Sequence, residues 1–161
     1  MSPAVTVRSA RPEDREKLGG LGAMLVTEHH RFDPKRFIDP PPQLAERYGQ
    51  FLVTRIDQPE MVVLVAVRGG DVVGYSYAGM EGNDYMALRG PAGVIYDLVV
   101  DPAERRKGIG SALMDATFAA LGKLGAPRVL LFTAEKNLVA QALFDRCGFR
   151  RTMIEMTREF D

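Results

Sequence analysis

The chain has 161 residues and balances 21 Lys plus Arg against 21 Asp plus Glu, so no long-range field draws it to nucleic acid or an anionic membrane. Hydrophobic residues at 46% and charged residues at 26% are ordinary for a globular protein, and the length suits a single domain over 1–161. One cysteine, Cys147, excludes an intrachain disulfide, and the adjacent His29 and His30 with no CxxC or HExxH spacing exclude a recognisable zinc site.

In chain order, Val5 and Val7 alternate with Thr6 and Arg8, which predicts a first strand within residues 1–11. Pro12, Glu13 and Asp14 suit the first turn of a helix running to about His30. A Pro-rich stretch, 32–42, ends it, and a second helix is expected over 43–56. Residues 61–68 and 72–80 form a hairpin about Gly69-Gly70-Asp71. A glycine-rich loop, 81–93, leads into a strong strand, 94–100. Helical spacing follows over 109–124, then a strand over 128–133, a shorter helix over 137–147, and a closing strand over 149–160. The order β-α-α-β-β-β-α-β-α-β predicts a mixed α/β sheet with one parallel, right-handed crossover across 94–133. No apolar run approaches the ~20 residues needed to span a bilayer, and no signal-peptide stretch opens the chain. A cytoplasmic protein without metal, membrane or nucleic-acid partner is expected.

The most informative segment is Asp101-Pro-Ala-Glu-Arg-Arg-Lys-Gly-Ile-Gly-Ser111. It follows a buried strand and opens a helix, where unpaired backbone N–H groups and the helix dipole favour an anion. Gly108 and Gly110 keep side chains off that backbone, Arg105, Arg106 and Lys107 add positive charge, and Ser111 adds a hydroxyl. The seat suits a pyrophosphate. A Walker loop is excluded because Ser111-Ala112 follows Gly110, and a Rossmann turn because Leu113 stands where its third glycine belongs.

These residues resemble the GNAT superfamily of N-acyltransferases. Arg105-Arg-Lys-Gly-Ile-Gly110 fits its Gln/Arg-x-x-Gly-x-Gly/Ala signature, and Asn137 through Gly148-Phe149 is similar to its Asn-x-x-Ala-x-x-x-Tyr-x-x-x-Gly-Phe helix. The resemblance implies a GNAT-like fold and acetyl-CoA as cofactor. Backbone amides of Arg106, Lys107, Gly108, Ile109, Gly110 and Ser111, beside Arg105, would hold its pyrophosphate. The strand edge at Leu98, Val99 and Val100 would pair with the pantetheine, and a main-chain N–H near Val99 or Val100 would polarise the thioester carbonyl. Asn137 would bond the cofactor or cap its helix. Phe144 takes the position where the family usually has a tyrosine acid; a thiol of pKa about 8.5 leaves fairly well unprotonated.

The implied reaction moves acetyl to the primary amine of a small molecule, such as an aminoglycoside or polyamine, or of a peptide. An alkylammonium has a pKa of about 10.4, so a base is useful. In Ile95-Tyr96-Asp97-Leu98, Asp97 is the preferred base, directly or through water, with Tyr96 lining the cleft; the plainer roles are a paired or capping carboxylate and a half-buried strand aromatic. Alternation puts the two on opposite faces. His29 and His30 fall at a helix end, Glu81, Asp84 and Tyr85 in a loop, and Cys147 reads as a small apolar helix residue. The alternative functions are a coenzyme A sensor or weak catalyst, motivated by Phe144, and an unrelated nucleotide-binding protein. Relatives are often dimers, and analogy admits a homodimer.

Overall fold

A computed structural model describes residues 3–160; the start of the first predicted strand, residues 1–2, and the final residue lie outside that range. The strand β1, Val5–Ser9, leads through a 3-10 turn, Pro12–Asp14, into helix α1, Arg15–Phe32. Helix α2, Leu44–Val53, is followed by β2, Met61–Arg68, β3, Asp71–Glu81, and β4, Ala92–Val100. Helix α3, Ile109–Lys123, then β5, Val129–Leu131, and α4, Leu138–Arg146, complete the regular structure. The sheet order is β1-β2-β3-β4-β5, antiparallel except for the β4–β5 pair.

Strand alternation sorts the core. Val63, Val65, Tyr75 and Tyr77 bury one face of the sheet with Leu18 and Leu52 from α1 and α2. Val62, Ala66, Ala78 and Ile95 line the opposite face with Leu113, Met114 and Leu121 of α3 and Phe144 of α4. The β2–β3 turn is carried by Gly69 and Gly70 at φ of 59° and 89°, the pair of positive angles that a two-residue hairpin of matching twist demands.

Helices α1 and α2 meet through glycine. A Cβ on Gly19 would lie 2.0 Å from the Ala45 carbonyl oxygen, and one on Gly22 would lie 2.1 Å from Tyr48 Cδ1. The absence of those atoms lets the Tyr48 ring lie flush on α1.

At the sheet's other end, the Arg8 guanidinium pairs with Asp14 at 2.8 and 2.9 Å, and the carboxylate also accepts the Arg11 N–H. The Arg8 bond holds the Asp14 carboxyl below its usual range. A depressed pKa contributes stability above the ordinary carboxylate value and loses it as pH falls through the folded one. We expect Asp14→Asn to cost about 1–3 kcal/mol at neutral pH. Urea melts at pH 7 and about pH 3 check it: the variant loses less stability between them than the parent.

The expected closing strand is corrected. Residues 149–160 form no strand, and 150–160 are all exposed. The β5 ladder is only three residues long and is paired on its β4 side alone. The segment is held instead by side chains, with Arg151 on Gln141 and Arg36 on Glu155. The observed order is therefore β-α-α-β-β-β-α-β-α. The β5 expectation of 128–133 shortens for a related reason, since the strand diverges from β4 after pairing Leu131 with Ile95. No helix among the described residues is long and apolar enough to cross a membrane.

Candidate functional site

The centre of the site is an irregularity in β4. Tyr77 of β3 pairs with Asp97, and its neighbour Ala78 pairs with Ile95, so Tyr96 is left unopposed as a β-bulge. A bulge breaks the period of two and re-aims side chains. The expectation that Tyr96 and Asp97 lie on opposite faces therefore fails: both line the same clefts, and the Tyr96 ring sits 4.8 Å from that of Tyr77.

Asp97 is 7% exposed. Its Oδ2 accepts hydrogen bonds from Tyr48 at 2.6 Å and Tyr75 at 2.9 Å. Oδ1 has no partner among the described residues and is not among the buried atoms left without one. Burial lifts the Asp97 carboxyl above its ordinary value, against the pull of the two tyrosine bonds and of His29. Burial also pushes Tyr48 and Tyr75 up, with Asp97 adding to it. Both phenols keep their protons and act as donors.

Beyond Ile95, the β5 side of β4 has no strand partner among the described residues, so Tyr96 to Val100 present a free backbone edge. The two strands open into a cleft of about 290 Å³. Asp97 and Leu98 line it from β4, Phe132 and Thr133 from just past β5, Asn137 and Phe144 from the cap and body of α4, and His29 from α1. Phe144 is buried and brings no hydroxyl. Asn137 caps α4 by accepting the Ala140 N–H at 3.2 Å, and it faces the cleft as well. His29 places Nδ1 2.8 Å from the Leu25 carbonyl, to which it donates.

The anion seat lies past the end of β4. Asp101 caps a 3-10 turn, Pro102–Glu104, by accepting the Ala103 N–H. Arg106 and Gly108 then take φ of 63° and 79°, which swings the chain into α3 and leaves the first-turn amides of Ile109, Gly110 and Ser111 pointing outward. The side chains divide their work differently from expectation. Arg105 binds Glu28 of α1 at 3.2 Å and the Val100 carbonyl at 3.2 Å, so it braces the loop. Lys107 is held by Glu104 at 3.1 Å, which leaves Arg106 as the cation of the three without an ion pair among the described residues. Ile109 is buried and anchors the helix. A Cβ on Gly110 would approach Leu143 at 3.0 Å, so this glycine also serves α3–α4 packing.

A Cβ on Gly108 would meet nothing within 4 Å; its left-handed backbone is what requires glycine. Gly108→Ala should cost about 1 kcal/mol in backbone strain and weaken coenzyme A binding about tenfold, a shift of ~1.4 kcal/mol, as measured by calorimetry.

Sequence reading nominated Asp97, Tyr96, Asn137 and Phe144, which the fold does bring to one cleft. It missed Tyr48, Phe51, Tyr75 and Tyr77. Tyr75 and Tyr77 carried a usable signal, being two positions apart on one strand and hence on one face. Glu81 and Asp84 are engaged within the fold, Glu81 with the Tyr96 hydroxyl at 2.7 Å and with Arg89, and Asp84 with the backbone of Met86 and Ala87. Burial raises the Cys147 thiol, in keeping with a packed helix residue. No cluster of three or more metal-ligating side chains occurs among the described residues.

The acetyltransferase (GNAT) family model matches residues 13–149, and the chain belongs to that family. Mycothiol acetyltransferase of Salinispora tropica is 32% identical over 153 residues, covering 91% of this chain and 45% of that protein. The chain thus spans less than half the length of this relative. Among solved structures, a mutant of the BH1408 protein of Bacillus halodurans superposes with a TM-score of 0.83 at 20% identity, covering 96% of this chain and 99% of that one. An aminoglycoside N-acetyltransferase in complex with coenzyme A gives a TM-score of 0.73 at 16% identity, covering 99% and 96%.

Proposed function

We propose that the chain transfers an acetyl group from acetyl-CoA to a primary amine. The observation that carries this reading is the free β4 edge running from the Asp97 cleft to the amides at the start of α3. These parts fit the group: amides of residues 109–111 and the Arg106 side chain would hold the pyrophosphate, and the edge at Leu98, Val99 and Val100 would hold the pantetheine. Bound acetyl-CoA supplies an activated thioester, whose carbonyl carbon gains a C–N bond as the C–S bond breaks. A main-chain N–H near Val99 or Val100 would polarise that carbonyl. Asp97 is the base: Oδ1 reaches the cleft, and a raised pKa makes the carboxylate a better acceptor of the ammonium proton, directly or through a water. The two tyrosines hold it in place through Oδ2.

Incubation with acetyl-CoA and a panel of amines, with free thiol followed over time, tests the reading. Turnover above background supports it, and none from any amine overturns it.

Phe144 favours a second reading, a coenzyme A-binding protein with little transfer, because a side chain with no proton to give sits in the cleft. Tight calorimetric binding without thiol release would select that reading. The same proposal extends to self-association. On the exposed segment after α4, Ile154, Met156 and Phe160 are 85%, 89% and 87% exposed and lie at even spacing. These apolar side chains are uncovered on an irregular segment, and they suit contact with a second copy. Sedimentation at micromolar concentration tests this; a monomer throughout would refute it.

A further inference from the structure

A second cleft, of about 510 Å³, opens beside the first and shares Tyr48, Tyr96 and Asp97 with it. Its walls are a connected run of rings. Tyr48 to Phe51 is 6.0 Å between centroids, Phe51 to Tyr77 is 5.7 Å, and Tyr77 to Tyr96 is 4.8 Å. Such faces attract a cation through their quadrupoles, and they also cover the apolar body of a small molecule. Phe51 already shows the first behaviour, with the Arg55 guanidinium 4.6 Å from its centroid.

The hydroxyls add direction. Tyr48 donates to Asp97 and Tyr96 donates to Glu81, so both phenol oxygens of this cleft's lining are left as acceptors only. Burial holds Tyr48, Tyr77 and Tyr96 in the neutral form. The walls therefore welcome one ammonium through rings and lone pairs, with Asp97 as the carboxylate at the junction of the two clefts.

The charges nearby argue against several ammonium groups. Glu81 is neutralised by Arg89. Arg47 lines the rim and has no ion pair or side-chain hydrogen bond among the described residues, while Arg55 stands behind Phe51. A polycation would meet the Arg47 guanidinium and a single free carboxylate, that of Asp97. An acid on the acceptor would meet the unpaired Arg47.

We propose that this aromatic cleft is the acceptor site and takes a primary amine joined through an apolar body to one acidic group, with the amine toward Asp97 and the acid toward Arg47. This rests on the acetyl-transfer reading and narrows its acceptor. The discriminating experiment compares each of two amino acids with its decarboxylated partner: 4-(aminomethyl)benzoate with benzylamine, and 6-aminohexanoate with pentylamine, with spermidine as the polycation. Acceptor binding to the coenzyme A-loaded protein is measured by calorimetry and transfer by thiol release. At least one acid should exceed its partner about tenfold in affinity or kcat/KM and should exceed spermidine. Arg47→Gln should erase that preference, through KM rather than kcat. The proposal is overturned if spermidine or both decarboxylated amines are preferred, if none of the five binds, or if Arg47→Gln leaves the ratio intact. Loss of coenzyme A binding would instead sink the transfer reading itself, so the two failures are separable.

Discussion

Replacing Asp97 with asparagine should lower kcat about 100-fold while leaving coenzyme A affinity within about twofold. Asparagine keeps the shape and can still accept the Tyr48 and Tyr75 protons through its carbonyl oxygen, so the fold survives. What disappears is the lone pair on the atom that reaches the cleft. The pH profile separates chemistry from packing. Burial raises the Asp97 pKa, so the parent enzyme loses activity as pH falls through a value above the ordinary carboxylate range. The asparagine variant keeps no such limb. A variant with full activity, or one that retains the acid limb unchanged, would remove Asp97 from the role of base.

Gly22→Val should cost about 3 kcal/mol or more of stability, read as a lowered urea midpoint with an unchanged slope. Two effects combine. The new Cβ would lie 2.1 Å from Tyr48 Cδ1 and within 2.5 Å of Cε1, so the ring must leave α1. Moving the ring pulls its hydroxyl off Asp97, which then loses one of two bonds to its ionised form. The remaining activity should therefore show its acid limb at higher pH than the parent. Gly20→Val is the control, since a Cβ there meets nothing within 4 Å; it should cost little beyond the ordinary loss of helix propensity. Equal losses at both positions would show that the α1–α2 contact is not what seats Tyr48.

Much of the scaffold is legible in local sequence because its causes are local. Met61–Arg68 is predicted to the residue, since a β-branched run ending at two glycines has few other uses. The start of α3 is legible for the same reason, as Gly108 marks the left-handed residue that opens it. The geometry of the cleft is less so. The Tyr96 bulge is a property of register between β3 and β4, and nothing in Ile95-Tyr96-Asp97-Leu98 alone reveals which residue lacks a partner. The Tyr48–Asp97 bond joins residues 49 positions apart, and the α1–α2 glycines that permit it look like poor helix formers in isolation. The segment over 149–160 shows the opposite failure. Its pattern is that of a strand, but pattern does not supply a neighbouring edge, and β5 offers only three paired residues on its other side.

The divergence of β4 from β5 gives one strand two unequal halves. Between Gly93 and Ile95 the backbone is locked on both flanks, whereas from Asp97 to Val100 it is locked on one. Deuterium uptake should therefore rise along β4 from its first residues to its last, because amides aimed into the gap meet water while those aimed at β3 do not. A guest that zips into the gap would slow the second half selectively and leave the first half as it was. The strand thus carries its own gauge of occupancy, readable residue by residue without following any reaction.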